Sequence, residues 1–186
     1  MSCEFEPNPA VVNSEAADTS SALIIFNPTA GNRRIRRFQR ALARLDALGI
    51  AYQVRNTAAA GDARSFACNA DDVRIVAVAG GDGTISEVAS GLVARRRSYR
   101  SDSTVPMPAL AIIPLGTANV LAAEIGFTDM SPEAAAAAIA AGDIRPAWLG
   151  VANGRVFCQM AGVGFDALVV AGIDLALKRR LGKLTY

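Results

Sequence analysis

The residues that most clearly suggest chemistry form a glycine-rich segment near the middle of the chain. From Gly80 to Thr84 it contains three glycines within four residues, together with Asp82. Glycine adopts positive φ easily and lets the backbone approach a ligand, because it has no Cβ. Between a strand and a helix, the exposed N–H groups of such a segment bind anions such as phosphate. Asp82 would repel phosphate directly, so we expect it to orient through a bridging cation or to accept a ribose or backbone hydrogen bond.

A plainer interpretation of this segment remains open. The spacing is equally compatible with a tight strand-to-helix turn in which Asp82 or Thr84 caps the helix. Neither the GxGxxG pattern nor the GxxxxGK[ST] pattern occurs here, so the segment is neither a Rossmann fingerprint nor a Walker loop.

Two other polar turns follow apolar runs of strand character. The first is Asn27-Pro28-Thr29-Ala30-Gly31 and the second is Pro114-Leu115-Gly116-Thr117-Ala118-Asn119. Each combines glycine with amide and hydroxyl side chains, which donate hydrogen bonds to phosphate or simply cap the next helix. The residues alone do not choose between these two roles.

The elements that must position these turns alternate along the chain. Apolar runs rich in β-branched residues predict strands, and apolar residues at spacings of three and four predict helices. This alternation predicts an open parallel α/β sheet that binds ligands at the carboxyl ends of its strands. We expect strands over 21–26, 50–55, 73–80 and 109–113, and helices over 33–48, 62–70, 85–97, 120–125 and 132–141.

The first predicted helix is rich in arginine. Its expected buried stripe is Ile35, Phe38, Leu42, Leu45 and Leu48, and its arginines are Arg33, Arg34, Arg36, Arg37, Arg40 and Arg44. Such a charged face is usually solvated, and the alternative is attraction to an anionic membrane surface.

The character of the chain changes after Asp143. Residues 147–152 and 155–160 flank Asn153-Gly154, a pair that favours a type I′ turn and therefore a β-hairpin. A hairpin alone is a poor domain, so we expect its apolar face to need further strands beyond Tyr186. The predicted organisation is a loose tail over 1–20, an α/β domain over 21–143 and the truncated beginning of a β-rich domain over 144–186.

Composition narrows the possible functions. The chain has 186 residues, is 52% hydrophobic and 19% charged, and carries a net charge of +2. These values predict a globular protein and give no support to nucleic-acid binding. The absence of histidine excludes Ser-His triads and His-ligated metals within this chain, and the three scattered cysteines predict a reduced, intracellular protein. No apolar run is long enough to cross a membrane.

Taken together and in this order, the three turns resemble those of the diacylglycerol kinase catalytic domain, in particular that of bacterial lipid kinases. The resemblance extends over about residues 22–186 and includes the segments 161–166 and 181–186. The Gly-Gly-Asp-Gly-Thr loop alone is also typical of NAD kinases, so the set of three carries the specificity. The resemblance implies a Rossmann-like α/β domain of the NAD kinase/diacylglycerol kinase type, followed by a C-terminal β-sandwich domain.

The family resemblance implies an ATP-dependent kinase that uses Mg²⁺ and phosphorylates a lipid hydroxyl. Its nucleotide lies between the two domains, and Asp82 is the catalytic residue implied within this chain. The general base and much of the metal site are expected beyond Tyr186, so the fragment alone is expected to be inactive. The implied nucleotide-binding residues are Asn27, Pro28, Thr29, Ala30, Gly31, Thr57, Gly80, Gly81, Asp82, Gly83, Thr84, Ile85, Ser86, Glu87, Gly116, Thr117 and Asn119.

One departure from the family pattern concerns positioning of the metal or nucleotide. Val120 stands where the family often has Asp.

The resemblance further implies a cytoplasmic protein in peripheral contact with the inner membrane face, with a lipid partner that the residues do not identify. Oligomeric state stays open, a homodimer included. The competing interpretations are an NAD kinase-like enzyme of small molecules and a non-catalytic nucleotide-binding module.

Overall fold

A five-stranded sheet forms the centre of the molecule. The computed structural model describes residues 11–12, 22–28, 32–99, 105–160, 162, 164 and 167–168. The segments 161–166 and 181–186 fall largely or wholly outside this range. The strands are β1 (Val11–Val12), β2 (Ala22–Phe26), β3 (Tyr52–Asn56), β4 (Ile75–Gly80) and β5 (Ala109–Pro114), and a separate hairpin contains β6 (Gly150–Ala152) and β7 (Arg155–Phe157).

The order of the sheet is β1-β3-β2-β4-β5, and β3, β2, β4 and β5 are parallel. The predicted open parallel α/β fold is therefore confirmed. The first parallel strand, β2, lies in the middle, because the chain goes to β3 on one side and then to β4 on the other. This reversal creates a crevice at the carboxyl ends of β2 and β4, which is where open α/β sheets bind ligands.

Helices cover both faces of the sheet. They are α1 (Asn32–Ala47), α2 (Asp62–Cys68), α3 (Asp82–Ser98), α4 (Val120–Glu124) and α5 (Pro132–Ala141). On β2, Ile24 and Phe26 point to one face and pack with Phe38 of α1 and Ala136 of α5. The intervening Ile25 joins the opposite cluster, which contains residues of α2 and α3. Both faces of the central strands are therefore apolar, as a parallel sheet covered by helices requires.

The ends of α5 and the turn of the hairpin follow local sequence, and the predicted hairpin turn is confirmed. Ser131 caps α5 by accepting a hydrogen bond from the N–H of Ala134, and Gly142 ends this helix with φ of 65°. In the hairpin, Asn153 and Gly154 have φ of 49° and 76°, the positive values that a type I′ turn needs.

Two details differ from the sequence-based expectations. The expected loose tail contains β1, whose Val11 and Val12 pair antiparallel with β3. The predicted stripe of α1 is wrong at Ile35, which is 37% exposed. Position 35 lies in the first turn of α1, and Phe38, Ala41 and Leu45 form the buried contact instead.

Among the residues that the structure describes, every helix is too short or too polar to cross a bilayer.

Helices α2 and α3 pack closely at Gly91. A Cβ on Gly91 would overlap the carbonyl oxygen of Arg64 and lie 2.8 Å from the Cβ of Ala67. By contrast, a Cβ on Gly83 of the same helix would meet nothing within 4 Å. Gly91 therefore sets the distance between the two helices.

We expect Gly91→Ala to lower the free energy of unfolding by about 1–2 kcal/mol. Overpacking costs about 1–3 kcal/mol, and the better helix propensity of alanine offsets part of this. Urea unfolding followed by circular dichroism measures the change. Gly83→Ala is the matched control and should be neutral or stabilising, and equal stability of the two variants would contradict the close packing at Gly91.

Candidate functional site

The loops after β2, β4 and β5 are joined by backbone hydrogen bonds at the carboxyl edge of the sheet. The N–H of Asn27 donates to the carbonyl of Ala79 at 3.1 Å. The N–H groups of Leu115 and Gly116 both donate to the carbonyl of Gly80, at 3.0 and 3.1 Å. The three polar turns found in the sequence therefore lie next to one another.

Two glycines make this arrangement possible. A Cβ on Gly116 would lie 2.6 Å from the Cα of Gly81, and a Cβ on Gly81 would lie 3.2 Å from the Cα of Gly116. Real Cβ atoms essentially never lie 2.6 Å from backbone, so the close approach of the β4 and β5 loops requires glycine at position 116. At 3.2 Å, a Cβ on Gly81 would be tighter than most real contacts and would push the loops slightly apart.

Helix α3 begins at this contact with unpaired donors. Gly81 is its N-cap in extended conformation, and the first helical hydrogen bond runs from the N–H of Ile85 to the carbonyl of Gly81. Within the described ranges, no residue accepts from the N–H of Gly83 or Thr84. Gly83 is exposed, with open space where a Cβ would stand. Free N–H groups at the start of a 17-residue helix favour an anionic ligand.

Asp82 is held from two sides at the start of α3. Its Oδ1 accepts a hydrogen bond from the side-chain amide of Gln159 at 2.8 Å, and a longer one from the N–H of Leu121 at 3.4 Å. No described residue donates to its Oδ2. A carboxylate at a helix N-terminus is also stabilised by the helix dipole. Asp82 thus keeps one oxygen available for a cation or a donor.

Asn27 and Thr57 bring the β2 and β3 ends into the same site. The side-chain amide of Asn27 donates to Thr84 Oγ1 at 3.2 Å, which links the β2 turn to the first turn of α3. The N–H of Thr57 donates to the carbonyl of Phe26 at 2.9 Å, and Thr57 is 7% exposed.

The predicted residues at the end of the glycine segment do different things. Ile85 is fully buried in the core, and its N–H donates to the carbonyl of Gly81. Ile85 therefore supports the loop from the core side. Glu87 turns towards the Thr57 loop, where its Oε2 accepts from the N–H of Gly61 at 3.0 Å.

Asn119 is the buried polar residue of the β5 loop. It is 7% exposed and has φ of 50° and ψ of 47°, in the left-handed region. Its amide nitrogen donates to the carbonyl of Gly116 at 3.0 Å, whereas no described residue donates to its Oδ1. An unpaired buried acceptor is costly, so this oxygen fits a donor supplied by a ligand or water.

Of the remaining predicted site residues, Pro28 lies at the end of the β2 turn and is partly buried, and Thr29, Ala30 and Gly31 lie outside the described residues. Thr117 is exposed and its Oγ1 accepts from Arg34 of α1 at 3.3 Å. Where the structure describes the chain, no group of three acidic or sulfur-bearing side chains is placed to hold a metal.

Comparison with known proteins now identifies the family. The family model of the diacylglycerol kinase catalytic domain matches residues 21–152. The chain belongs to this family. The matched range contains all three loops and Thr57.

Curated relatives agree with this assignment. The chain is 32% identical to the diacylglycerol kinase of Bacillus subtilis over 168 residues, which are 89% of this chain and 52% of that protein. It is 40% identical to a protein of Pseudomonas aeruginosa named as a YegS-like lipid kinase over 167 residues, or 88% of this chain and 50% of that protein. The chain therefore spans about half the length of the curated relatives it matches.

A solved structure has the same fold. A diacylglycerol kinase from Bacillus anthracis aligns with a TM-score of 0.57 and 28% identity, over 74% of this chain and 48% of that one.

The sequence analysis did not identify the arginines that support the loops of the candidate site. We expected the α1 arginines to be a solvated or membrane-facing surface. In the structure Arg34 contacts Thr117, and Arg37 donates to the carbonyl oxygens of Pro114 and Met130. The excess of arginine was visible, but a charge pattern does not reveal which carbonyl groups a long side chain reaches.

Gln159 was also missed, because it lies 77 residues from Asp82 in a segment read only as a hairpin strand. An isolated glutamine in a strand pattern carries no functional signal, and only the docking of β7 against α3 brings it to the site.

We expect Gly116→Ala to lower the free energy of unfolding by about 1–3 kcal/mol, because its methyl group would collide with the Gly81 backbone and with Asn119 Oδ1. Thermal and urea unfolding measure this loss. Ala118→Ser is the control, since it adds one atom to an exposed residue of the same loop. Wild-type stability of Gly116→Ala would mean that the two loops do not need this contact.

Cys158 offers a test of the environment beside Asp82. Burial raises the pKa of its thiol, and the nearby Asp82 carboxylate raises it further, against a lowering hydrogen bond with Ser86. A raised pKa leaves less thiolate at a given pH, so alkylation by iodoacetamide should need a higher pH than for free cysteine. Peptide mapping by mass spectrometry gives the rate, and Cys158→Ser identifies the peptide. If alkylation of Cys158 reaches half its maximal rate at a pH equal to or lower than that of free cysteine, this burial is contradicted.

Proposed function

We propose that the protein is an ATP-dependent lipid kinase and that this chain contributes mainly its nucleotide-binding part. It would transfer the γ-phosphate of ATP to a lipid hydroxyl. The observation that carries the proposal is the meeting of three polar loops beside the unpaired N–H groups of α3. Phosphoryl transfer depends mostly on positioning and charge neutralisation, which such a site can supply without a covalent intermediate.

The nucleotide phosphates would bind at the start of α3. Gly83 and Thr84 would donate backbone N–H groups, and the open space at Gly83 lets a phosphate approach the backbone. Asn119 would offer its buried Oδ1 to a hydroxyl of the nucleotide, and Thr117 would close the site from the same loop. Thr57 and Asn27 would line the side formed by β2 and β3.

Asp82 would hold Mg²⁺ together with the nucleotide. Mg²⁺ in kinase sites is usually bound by one or two carboxylates and by substrate phosphates, and the available Oδ2 of Asp82 fits that requirement. The bound ion would neutralise charge on the phosphates during transfer. The glycine loops contain no lysine, which places more of this task on the ion and on backbone N–H groups. Val120, where the family often has Asp, removes a second carboxylate from the β5 loop.

The activity is proposed for the whole protein, since the chain spans about half the length of its curated relatives. We infer that the general base and the lipid-recognising residues come from the remaining length. The 186 residues by themselves would then bind nucleotide with little or no transfer.

A membrane surface is the proposed location of the acceptor lipid. Arg33 and Arg36 are exposed on α1 and line a groove with residues 130–132. Basic residues near an anionic surface contribute about 1 kcal/mol each. The protein would therefore meet its substrate by peripheral contact, on the cytoplasmic side of the membrane.

Incubation with labelled ATP tests the proposal. The product of the complete open reading frame is mixed with Mg²⁺, γ-labelled ATP, mixed lipid vesicles and NAD, and the products are partitioned between organic and aqueous phases. We expect label in the organic phase, and the labelled lipid identifies the acceptor. Label only on NAD would replace the lipid kinase with an NAD kinase-like enzyme. ATP binding without any transfer would leave a nucleotide-binding module.

We expect Asp82→Asn to reduce the turnover number of the complete protein at least about a hundredfold, because one preorganised charged group at a transferring phosphate is worth that much. Asp143→Asn is the matched control: Asp143 is exposed and pairs only with exposed Arg145 in the described part of the chain. An unchanged turnover number for Asp82→Asn would remove this carboxylate from the mechanism.

A further inference from the structure

The residues that follow the hairpin contact the first turns of α3 through Gln159 and Cys158. Gln159 donates its side-chain amide to Asp82 Oδ1 at 2.8 Å, in a partly buried setting. The neighbouring Cys158 packs against the core cluster that contains Ile85 and lies close to Ser86. Asp82 and Ser86 are four residues apart and therefore lie on one face of α3. The segment after β7 is thus fastened to the first turns of α3 at two points.

The amide side chain of Gln159 can orient a carboxylate and leave its charge in place. An amide donates to a carboxylate without neutralising it, whereas lysine or arginine would pair with the charge that a cation must use. The hydrogen bond restrains Oδ1 and leaves Oδ2 with no donor among the described residues. Leu121 donates to the same Oδ1 from the other side at 3.4 Å. The carboxylate therefore has a fixed orientation and an available oxygen.

We propose that Gln159 is a positioning residue for Asp82. Its side-chain amide holds the carboxylate in the orientation that the phosphate site needs, so that the segment following the hairpin completes a site otherwise built by the α/β domain. This role rests on the proposed kinase function only for its kinetic consequence. The coupling between the two side chains is a property of the folded chain.

Three substitutions at Gln159 in the complete protein separate hydrogen bonding from shape. Gln159→Leu removes the donor, and we expect the turnover number to fall about 10–100-fold with the KM for ATP within about threefold, as for a misplaced catalytic group. Gln159→Glu keeps the shape but adds a second negative charge, so its loss should be larger. Gln159→Asn keeps the amide and should restore part of the activity. Gln39→Leu, on the exposed surface of α1, is the control.

The proposal is wrong if Gln159→Glu keeps a higher turnover number than Gln159→Leu. A role in packing alone would make Gln159→Glu the mildest change, because glutamate has nearly the same volume as glutamine. Turnover close to wild type in Gln159→Glu or Gln159→Leu would therefore exclude positioning of Asp82.

A double-mutant cycle tests the coupling without any enzyme assay. We expect Gln159→Leu to lower the urea midpoint in the wild-type background and to leave it nearly unchanged in the Asp82→Ala background, because the shared interaction is already lost. An equal drop in both backgrounds would overturn the proposal. If the wild-type protein transfers no phosphate, the proposed function fails, and this cycle still decides whether Gln159 holds Asp82.

Discussion

The close approach of Gly81 and Gly116 is the constraint on which the site depends. Any side chain at Gly116 would collide with the backbone of the β4 loop, and a side chain at Gly81 would crowd the β5 loop, so the shared carbonyl of Gly80 depends on this pair of glycines. This contact brings Asn119 next to the start of α3 and leaves the N–H groups of that helix free. The proposed phosphate binding would follow from a distance between backbones and would need few charged side chains.

The order of the strands makes that contact possible. Because β2 lies between β3 and β4, the first polar turn faces the glycine segment across the crevice, and Asn27 reaches Thr84. Long side chains from other elements then hold the loops. Arg34 and Arg37 of α1 reach the β5 loop, and Gln159 reaches Asp82 from the hairpin. The site is therefore supported by elements on both sides of the three loops, and several of these supports act over long sequence separations.

Local sequence was sufficient for much of the fold. The apolar runs located the four parallel strands, and the alternation with helices gave the α/β class. Ser131, Gly142 and Asn153-Gly154 defined a helix start, a helix end and a hairpin turn, since each acts on its own neighbours in the chain. The three glycine-bearing turns could be found for the same reason, and their sequence order carried the family resemblance.

Only the tertiary structure decided which polar groups meet. Sequence periodicity reports which face of an element is apolar, but it holds no information on the partner of an arginine or glutamine many residues away. The pairing of Gln159 with Asp82 and of Arg37 with Pro114 depends on how β7 and α1 pack. The pairing of Val11 with β3 likewise needed the edge of the sheet to exist. The sequence determined the elements and the polar turns, and packing determined the contacts that join them into a site, because those contacts depend on distances in space and not along the chain.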